Sequence, residues 1–366
     1  MTIKESPILV LLSVILILVL YLTLKKVQKR NDVLPKTKTQ GSLLLFAIIC
    51  LFSFYDTDWF HYQEVLEQFK HTKFIEYGVN THLEDGYIDI ARFVNYNYIL
   101  FRLVVWCGAL SLFCLTTKRL NLRLDTSLFC LLPYVIFFTY GRVTLTMAIA
   151  FYLFSYIVKP TKFFKWIIIV IASLLIFNTT NSLHKSSVML VPVFILSIFP
   201  LRKENLKWIA VLFVLIIVFM EMILTHYMLY TDEISSIYIE KHTVGESLKR
   251  GVGGIVNRII SSVPFYVVVL YILHNIKRNV YKEWPYYIKT FANATLWIVL
   301  FASMFLLRNN ELLFYRFLYF AMIPGAITLS HAYYSNPEKR ILNRLQNICI
   351  LALFYTLLYR SYLSLF

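Results

Sequence analysis

Long hydrophobic stretches separated by short polar segments recur along the whole chain. Several approach the roughly 20 residues that an α-helix needs to cross the hydrocarbon core of a bilayer. This pattern predicts an all-α, polytopic integral membrane protein with about twelve transmembrane helices. Some shorter stretches could be re-entrant, which would change that number by about two. The predicted spans are residues 7–24, 41–55, 97–116, 126–140, 143–158, 166–179, 185–199, 208–229, 255–274, 286–306, 312–333 and 345–363.

The composition agrees with this class of protein. Hydrophobic residues make up 59% of the 366 positions and charged residues 15%, as is typical of a chain that lies mostly in lipid. There are only 10 glycines and 10 prolines, and the sequence has no linker-like tract and no clear internal repeat. We therefore expect a single transmembrane domain over residues 1–366.

The positive charges indicate the orientation. The formal net charge is +16, and many of the basic residues concentrate in short loops that follow every second predicted span. These loops are residues 25–38, 118–123, 159–165, 202–207, 277–282 and 339–344. Loops rich in Lys and Arg stay in the cytoplasm, so we expect the N-terminus and the alternate loops to face outward. The charge therefore requires no nucleic-acid partner.

Two of the predicted outward loops are long. The first, residues 56–96, begins with Asp56 and Asp58 and is acidic. Its residues 59–69 carry apolar side chains at helical spacing, which predicts an amphipathic helix at the membrane interface. The second loop, residues 230–254, ends in a basic, glycine-rich stretch that suits either a gate over an anionic ligand or an ordinary connection.

Charged side chains in or beside apolar spans are functional candidates, because a charge in lipid is costly unless it is paired or hydrated. On the outward side these are Arg142, Arg308, Arg316, His184 and Lys185. Arginine holds phosphate groups by two parallel hydrogen bonds, so the three arginines predict an anion site suited to a lipid-linked pyrophosphate. The alternative for Arg308 and Arg316 is that they extend to the lipid headgroups. His184 has no second metal ligand at a suitable spacing.

Several short motifs, taken in order along most of the chain, resemble those of a known family. They are Asp56-Thr57-Asp58-Trp59, Glu84-Asp85-Gly86-Tyr87, Arg142 ahead of Met147-Ala148-Ile149-Ala150, His184-Lys185-Ser186-Ser187, and Arg316 within Tyr315-Arg316-Phe317. Each is similar to an element of the EpsG family, the Wzy-like polymerases of bacterial polysaccharides. The sequence departs from that family at Asp85, where the family has proline.

What the resemblance implies is glycosyl transfer at the outer face of the bacterial cytoplasmic membrane. A growing glycan on undecaprenyl pyrophosphate would be moved onto the next lipid-linked repeat unit of a capsule, O-antigen or exopolysaccharide. The acceptor hydroxyl needs a general base, for which we expect Asp56 or Asp58, with His184 and Glu84 as further candidates. Because membrane glycosyltransferases with lipid donors carry a similar acidic loop, a GT-C-like architecture is compatible with the sequence.

The resemblance also implies a set of binding residues, since cations must stabilise the leaving pyrophosphate and aromatic rings can stack on glycan faces. The expected substrate-binding residues are Arg142, Arg308, Arg316, Lys185, Tyr62 and Trp59. The aromatic residues could equally belong to the belt that anchors any membrane protein. We expect no cofactor and no dedicated metal, although a divalent cation could bridge the two aspartates and the pyrophosphate. The expected partners are the lipid-linked oligosaccharide and the bilayer, and a chain-length regulator is a further candidate.

Three other functions share some of these features. A flippase for lipid-linked oligosaccharides would need charges along a continuous central path, whereas the candidate charges concentrate on the outward side, with Arg102 and Glu221 as the exceptions. An internal repeat would also be expected. A membrane O-acyltransferase would need an essential His or Arg within reach of a cytoplasmic acyl donor. An O-antigen ligase uses the same donor and reaction, but should carry a large outward domain late in the chain.

Overall fold

The computed structural model describes most of the chain. The described residues are 7–28, 34–51, 59–72, 85–139, 141–159, 165–183, 187, 190–199, 201, 203–205, 207–208, 211, 214–215, 251–307, 311–335 and 339–365. Within these ranges every regular element is helical, which confirms the all-α prediction. Most of the predicted span 208–229 and of the second outward loop lies outside the described residues.

The α-helices are numbered here in chain order. They are α1 (Pro7–Leu24), α2 (Lys36–Leu51), α3 (Trp59–Thr72), α4 (Asp85–Phe93), α5 (Tyr98–Arg102), α6 (Gly108–Arg119), α7 (Leu124–Leu131), α8 (Val135–Phe138), α9 (Gly141–Val158), α10 (Lys165–Leu183), α11 (Leu190–Ile198), α12 (Gly251–Lys277), α13 (Tyr286–Leu307), α14 (Glu311–Tyr319), α15 (Met322–Ser335) and α16 (Lys339–Leu365). A π-helical segment, Leu103–Cys107, joins α5 to α6. Short 3₁₀ turns occur at Lys25–Gln28, Leu132–Tyr134, Lys203–Asn205 and Val280–Glu283.

Four described helical stretches are long and apolar enough to cross a membrane. They are Tyr98–Arg119, Val256–Lys277, Tyr286–Phe305 and Arg340–Tyr359. Shorter apolar helices are found at Leu11–Leu24, Leu124–Phe138, Val143–Val158 and Ile169–Thr179. These helices agree with a membrane protein, while the number of twelve spans and the GT-C-like architecture stay predictions.

Two predicted spans are interrupted in the structure. The predicted span 126–140 is broken by the turn Leu132–Tyr134, because Pro133 has no backbone N–H with which to continue the helical hydrogen bonds. The predicted span 312–333 is divided into α14 and α15, and at the break Phe320 and Ala321 donate to carbonyls only three residues earlier. Each of these two predicted spans therefore contains a short turn.

The predicted first outward loop, residues 56–96, contains two helices in the part that the structure describes. α3 starts at Trp59, as the apolar spacing predicted, and it buries Leu66 fully; its location at a membrane interface stays a prediction. α4 follows within the same loop and buries Tyr87. The second outward loop ends earlier than predicted, because α12 already begins at Gly251.

Asp125, in the first turn of α7, ties together two of the basic loops. Its carboxylate accepts hydrogen bonds from Arg123 Nη2 at 2.6 Å and Nε at 3.1 Å. It also accepts one from the backbone N–H of Leu34 at 3.2 Å. A carboxylate in the first turn of a helix is favourably placed in the field of the helix dipole. The segment that leads into α2 is therefore fixed to the segment that leads into α7.

Lys159, directly after α9, connects a third basic loop to the same region. Its Nζ donates to the carbonyl oxygen of Arg119 at 2.9 Å, and the Arg119 guanidinium donates back to the carbonyl of Lys159. The same Nζ lies 4.8 Å from the ring centroid of Tyr287 in α13. Burial, followed by the charge of Arg119, lowers the pKa of Lys159.

The end of α11 is held against α13 by hydrogen bonds to its last carbonyls. Asn293 Nδ2 donates to the carbonyl oxygens of Ser197 at 3.0 Å and Phe199 at 2.9 Å, and the Tyr286 hydroxyl donates to that of Ile198 at 3.3 Å. These bonds satisfy groups that a helix end leaves without partners. Three of the six basic loops, residues 25–38, 118–123 and 159–165, are thus linked by contacts at one end of the bundle, and the end of α11 and the start of α13 lie there as well. We call this end, which holds Leu34, Arg119, Asp125, Lys159, Ile198 and Tyr287, the basic face.

Aromatic side chains pack α9, α11 and α13 together above the basic face. The rings of Phe154 and Phe194 stack with centroids 4.1 Å apart, and Phe151 lies 5.8 Å from Phe291. Because aromatic pairs bury large apolar areas in a fixed geometry, this cluster sets the relative position of the three helices.

Candidate active site

The helix directions define a second end of the bundle, opposite the basic face. α9 ends beside Lys159 on the basic face, and its 18 residues rise roughly 27 Å, so its first residue lies at the opposite end. α12 finishes and α13 begins on the basic face, which places the start of α12 and the end of α13 at the opposite end as well. We call this second end the far end.

Phe137, in α8, contacts two other helices just before the start of α9. Its ring centroid lies 5.1 Å from that of Tyr319 in α14 and 5.3 Å from that of Phe265 in α12. Phe265 also packs 4.9 Å from Tyr134. The interruption at Pro133 therefore brings the end of α8, just before α9, against α12 and α14.

Two arginines lie on the helices that meet at this junction. The guanidinium carbon of Arg258, in α12, lies 5.8 Å from the ring centroid of Tyr315 in α14. Arg316 is the next residue of α14, and both arginines are half-buried. They lie roughly 8–11 Å along their helices from the far end. Arg316, which the sequence predicted to bind an anion, therefore lies on α14, and Arg258 contacts that same helix through Tyr315.

Arg258 was missed by the sequence analysis. It lies close to the start of a predicted span, in an otherwise apolar stretch, and no motif marks it. A survey of every charged residue near a span end would have included it. Its position relative to Tyr315 depends on the packing of two helices that are distant in sequence.

Arg142 is in the first turn of α9, at the far end. The start of α9 is tied to the junction because the Thr144 hydroxyl donates to the carbonyl oxygen of Phe138 at 2.9 Å. Phe138 follows Phe137, whose ring contacts Tyr319. The elements that carry Arg142, Arg258 and Arg316 are therefore neighbours.

A further arginine, Arg102, is fully buried at the end of α5. Its Nη1 donates to the Tyr98 hydroxyl at 3.3 Å and its Nη2 to the carbonyl oxygen of Cys50 at 3.0 Å. Its guanidinium carbon lies 4.4 Å from the ring centroid of Trp106. These contacts hold the end of α5 and the segment that follows it against the end of α2. The π-helical segment that follows is of a kind often found at functional sites.

The Arg102 site belongs to the same end of the bundle. Cys50 lies near the end of α2, and Phe46, one turn earlier in that helix, packs edge-on against Phe138 with centroids 5.6 Å apart. α2 thus connects Arg102 with the end of α8 and the start of α9. In the sequence, the acidic element Asp56-Thr57-Asp58 follows α2.

The remaining site predictions stay predictions. Six of the predicted residues lie outside the described residues, and three others lie in described helices whose side chains at those positions are not described. The first group is Asp56, Asp58, Glu84, His184, Lys185 and Arg308. The second group is Trp59, Tyr62 and Arg142. Within the described ranges no group of three or more His, Cys, Asp or Glu side chains could hold a metal ion. Asp56 and Asp58 lie outside those ranges, so this finding does not bear on a cation between them.

The comparisons with known proteins agree with the motifs. A family model described as the EpsG family matches residues 39–365, which includes the far end and every residue used to define the basic face except Leu34. Comparisons with curated proteins and with solved structures found no match. The match spans nearly the whole chain and includes all the motifs that carried the resemblance. The chain therefore belongs to the EpsG family, a family of Wzy-like polymerases.

Proposed function

We propose that this protein polymerises a bacterial polysaccharide by joining oligosaccharide repeat units carried on undecaprenyl pyrophosphate. The observation that carries the proposal is the EpsG match over residues 39–365. It is supported by the position of the arginines, since the elements bearing Arg142, Arg258 and Arg316 meet at one end of the bundle. The polymer is a capsule, an O-antigen or an exopolysaccharide.

The proposed orientation follows from the basic face. Loops rich in Lys and Arg remain in the cytoplasm, so the far end, with its arginines, faces outward from the cytoplasmic membrane. The N-terminus, at the start of α1, is then also outside. Lipid-linked repeat units that have been moved to the outer leaflet would reach the site directly.

In the proposed reaction a hydroxyl of the acceptor sugar attacks the anomeric carbon of the donor glycan. The new glycosidic bond forms as the bond from that carbon to the pyrophosphate oxygen breaks, and the hydroxyl proton passes to the carboxylate of Asp56 or Asp58. His184 and Glu84 are the other candidate bases. A single displacement of this kind inverts the configuration at the anomeric carbon.

The arginines of the far end supply the charge that this leaving group requires. The pyrophosphate gains negative charge as the bond breaks, and preorganised cations stabilise that charge most where water is excluded. Arg142 and Arg316 are the proposed ligands, and Arg308 supports them. Arg258 joins them because its guanidinium lies beside the helix that carries Arg316.

We assign Arg102 as a positioning residue for the acidic element. A fully buried arginine is stable only with compensating charge or hydrogen bonds, and its contact with Cys50 lies at the end of α2 from which Asp56 and Asp58 follow.

The proposed glycan contacts are Lys185, Trp59 and Tyr62, which lie in or beside the outward segments. A divalent cation is not required, since the arginines supply the same charge. A chain-length regulator remains a candidate partner on the outer side.

The function is tested by polymer length in cells that carry the native chain, Asp58→Asn or Arg316→Ala at matched membrane levels. We expect the native chain to give long polymer and both variants to leave single repeat units on lipid carrier in the outer leaflet. Arg340→Ala, at an exposed position of α16, is the matched control and should give native polymer lengths. Repeat units that accumulate in the cytoplasmic leaflet would instead identify a flippase and overturn the proposal.

A further inference from the structure

A cavity of about 800 Å³ lies between α2 and α6, away from the far end. Its walls are mostly aliphatic or thiol side chains from these two helices. They include Leu43, Leu44, Ala47, Leu110, Cys114 and Leu115. Leu44 is 64% exposed and Leu115 46% exposed, so the cavity opens on the side of the helices that faces the bilayer.

The cavity has a polar end on the basic face. Gln40 and Lys118 line it there, and both side chains are exposed. None of the lining residues is a carboxylate. Asp125, which follows the lining residue Leu124, is already paired with Arg123 at 2.6 Å. The polar end of the cavity therefore carries the positive charge of Lys118, and no lining residue supplies a negative charge to balance it.

The length of the cavity matches one leaflet. Along α6 and the π-helical segment it is lined from Lys118 back to Cys107, which corresponds to a rise of roughly 16 Å. Half of the hydrocarbon core of a bilayer is about 15 Å thick. A chain lying in the cavity with its polar group at Lys118 would thus extend from the headgroup region to the middle of the membrane.

We propose that this cavity binds an anionic glycerophospholipid, with one acyl chain between α2 and α6 and the phosphate at Lys118. Basic pockets between helices on the cytoplasmic side are suited to anionic headgroups. The polyprenyl chain of the glycan carrier is far longer than the cavity, and the proposed pyrophosphate site is at the other end of the bundle. The occupant is therefore a structural lipid and is distinct from the substrate.

Such a lipid would connect the helices that form the Arg102 site. α2 carries Cys50 and the helix that continues into α6 carries Arg102, and these two residues are hydrogen-bonded at the far end. The lipid would fill the gap between the same two helices nearer the basic face. The phosphate of the lipid would form an ion pair with the Lys118 ammonium, as a carboxylate does in an ion pair within a protein.

The test is lipid retention by the purified full-length protein in detergent, measured by native mass spectrometry with phosphatidylglycerol or phosphatidylcholine of identical acyl chains. We expect the native protein to retain phosphatidylglycerol in preference. Lys118→Gln should lower that retention about tenfold, since a charge-assisted hydrogen bond to phosphate is lost. Lys282→Gln, which removes an exposed lysine elsewhere on the basic face, should leave it unchanged.

A second experiment tests the same proposal with the native protein. Cys107 and Cys114 line the cavity, so bound phosphatidylglycerol should slow their modification by a hydrophobic maleimide, whereas phosphatidylcholine should not. Equal retention of the two lipids, equal effects of the Lys118 and Lys282 variants, or preferential retention of undecaprenyl phosphate would each overturn the proposal. These outcomes do not depend on polymerase activity.

Discussion

Nη2 of Arg102 donates a hydrogen bond across 3.0 Å to the backbone carbonyl oxygen of Cys50, a residue 52 positions earlier in the chain. The bond joins the beginning of the helical stretch Tyr98–Arg119 to the last turn of α2. It lies at the end of the bundle where the predicted acidic element follows α2 in the sequence. A fully buried charge therefore fixes the helix end from which the proposed base extends.

Replacing Arg102 with Gln is expected to destabilise the protein strongly. The substitution removes the charge-assisted hydrogen bonds from the guanidinium to the Cys50 carbonyl and the Tyr98 hydroxyl, and such bonds contribute about 1.5–3 kcal/mol each. The free energy of unfolding, measured with denaturant in mixed micelles, should fall accordingly. Arg344→Gln, at an exposed position of α16, is the control, and equal stability of the two variants would show that the buried contacts contribute nothing.

Removing Arg258 is expected to impair polymerisation with little effect on folding. Because the guanidinium is half-buried beside the helix of Arg316, Arg258→Gln should lower the rate of polymer formation about 10²-fold, as the loss of one stabilising donor does elsewhere. Arg258→Lys should keep part of the activity, since it keeps the charge and loses the paired geometry. Polymer formed per unit of membrane-inserted protein is the measurement, and native activity in Arg258→Gln would remove this residue from the site.

Asn293 is expected to be essential for the attachment of α11. Its amide donates to two carbonyls at the end of that helix, and its Oδ1 accepts from the Tyr281 hydroxyl, whose pKa is raised by burial. Asn293→Asp cannot donate these bonds, so we expect the free energy of unfolding to fall by about 2–4 kcal/mol.

The control for that change is Asn279→Asp, which makes the same replacement at an exposed turn with φ of 62°. Asparagine and aspartate both tolerate this left-handed conformation, so stability should change little. If the two variants unfolded at the same denaturant concentration, the attachment of α11 would have to depend on other contacts.

Asp125 and Asp89 provide a direct comparison of a buried and an exposed ion pair. The Asp125 side chain is 5% exposed and lies 2.6 Å from Arg123, whereas that of Asp89 is 68% exposed and lies 3.6 Å from Arg92. Replacing the buried carboxylate weakens the hydrogen bonds that it accepts from Arg123 and from the backbone N–H of Leu34, and bonds to a charged group contribute about 1.5–3 kcal/mol each. Exposed pairs contribute about 0–1 kcal/mol. We expect Asp125→Asn to lose about 3 kcal/mol or more of stability and Asp89→Asn to lose less than about 1 kcal/mol. Equal losses in thermal or denaturant unfolding would contradict this.

The sequence was sufficient for the features that depend on periodicity and charge. α1 has the predicted bounds, 7–24, because a long apolar run has few alternatives to a helix in lipid. Three of the basic loops meet on one face, since each helix that crosses the bundle carries the chain to the opposite end. The EpsG motifs were recognisable for the same reason, as each is a local pattern.

Features that depend on packing between distant segments could not be predicted. The contact of Arg258 with Tyr315 and the bond from Arg102 to Cys50 join residues on separate helices, and no local pattern encodes such pairs. The break between α14 and α15 was also missed, because Phe320 and Ala321 are apolar and continue the hydrophobic run. Polymerase chemistry itself rests on the family and on Asp56 and Asp58, which lie outside the described residues.

The central claim is tested most directly with the purified protein in proteoliposomes, supplied with undecaprenyl-pyrophosphate-linked repeat units and no other protein. The account predicts a ladder of polymer lengths from the native chain. It predicts single repeat units from Asp58→Asn or Arg316→Ala inserted to the same level, and a native ladder from Arg340→Ala. If the native chain left the repeat units unjoined, or if the two far-end variants gave the native ladder, the proposed site and its reaction would be contradicted.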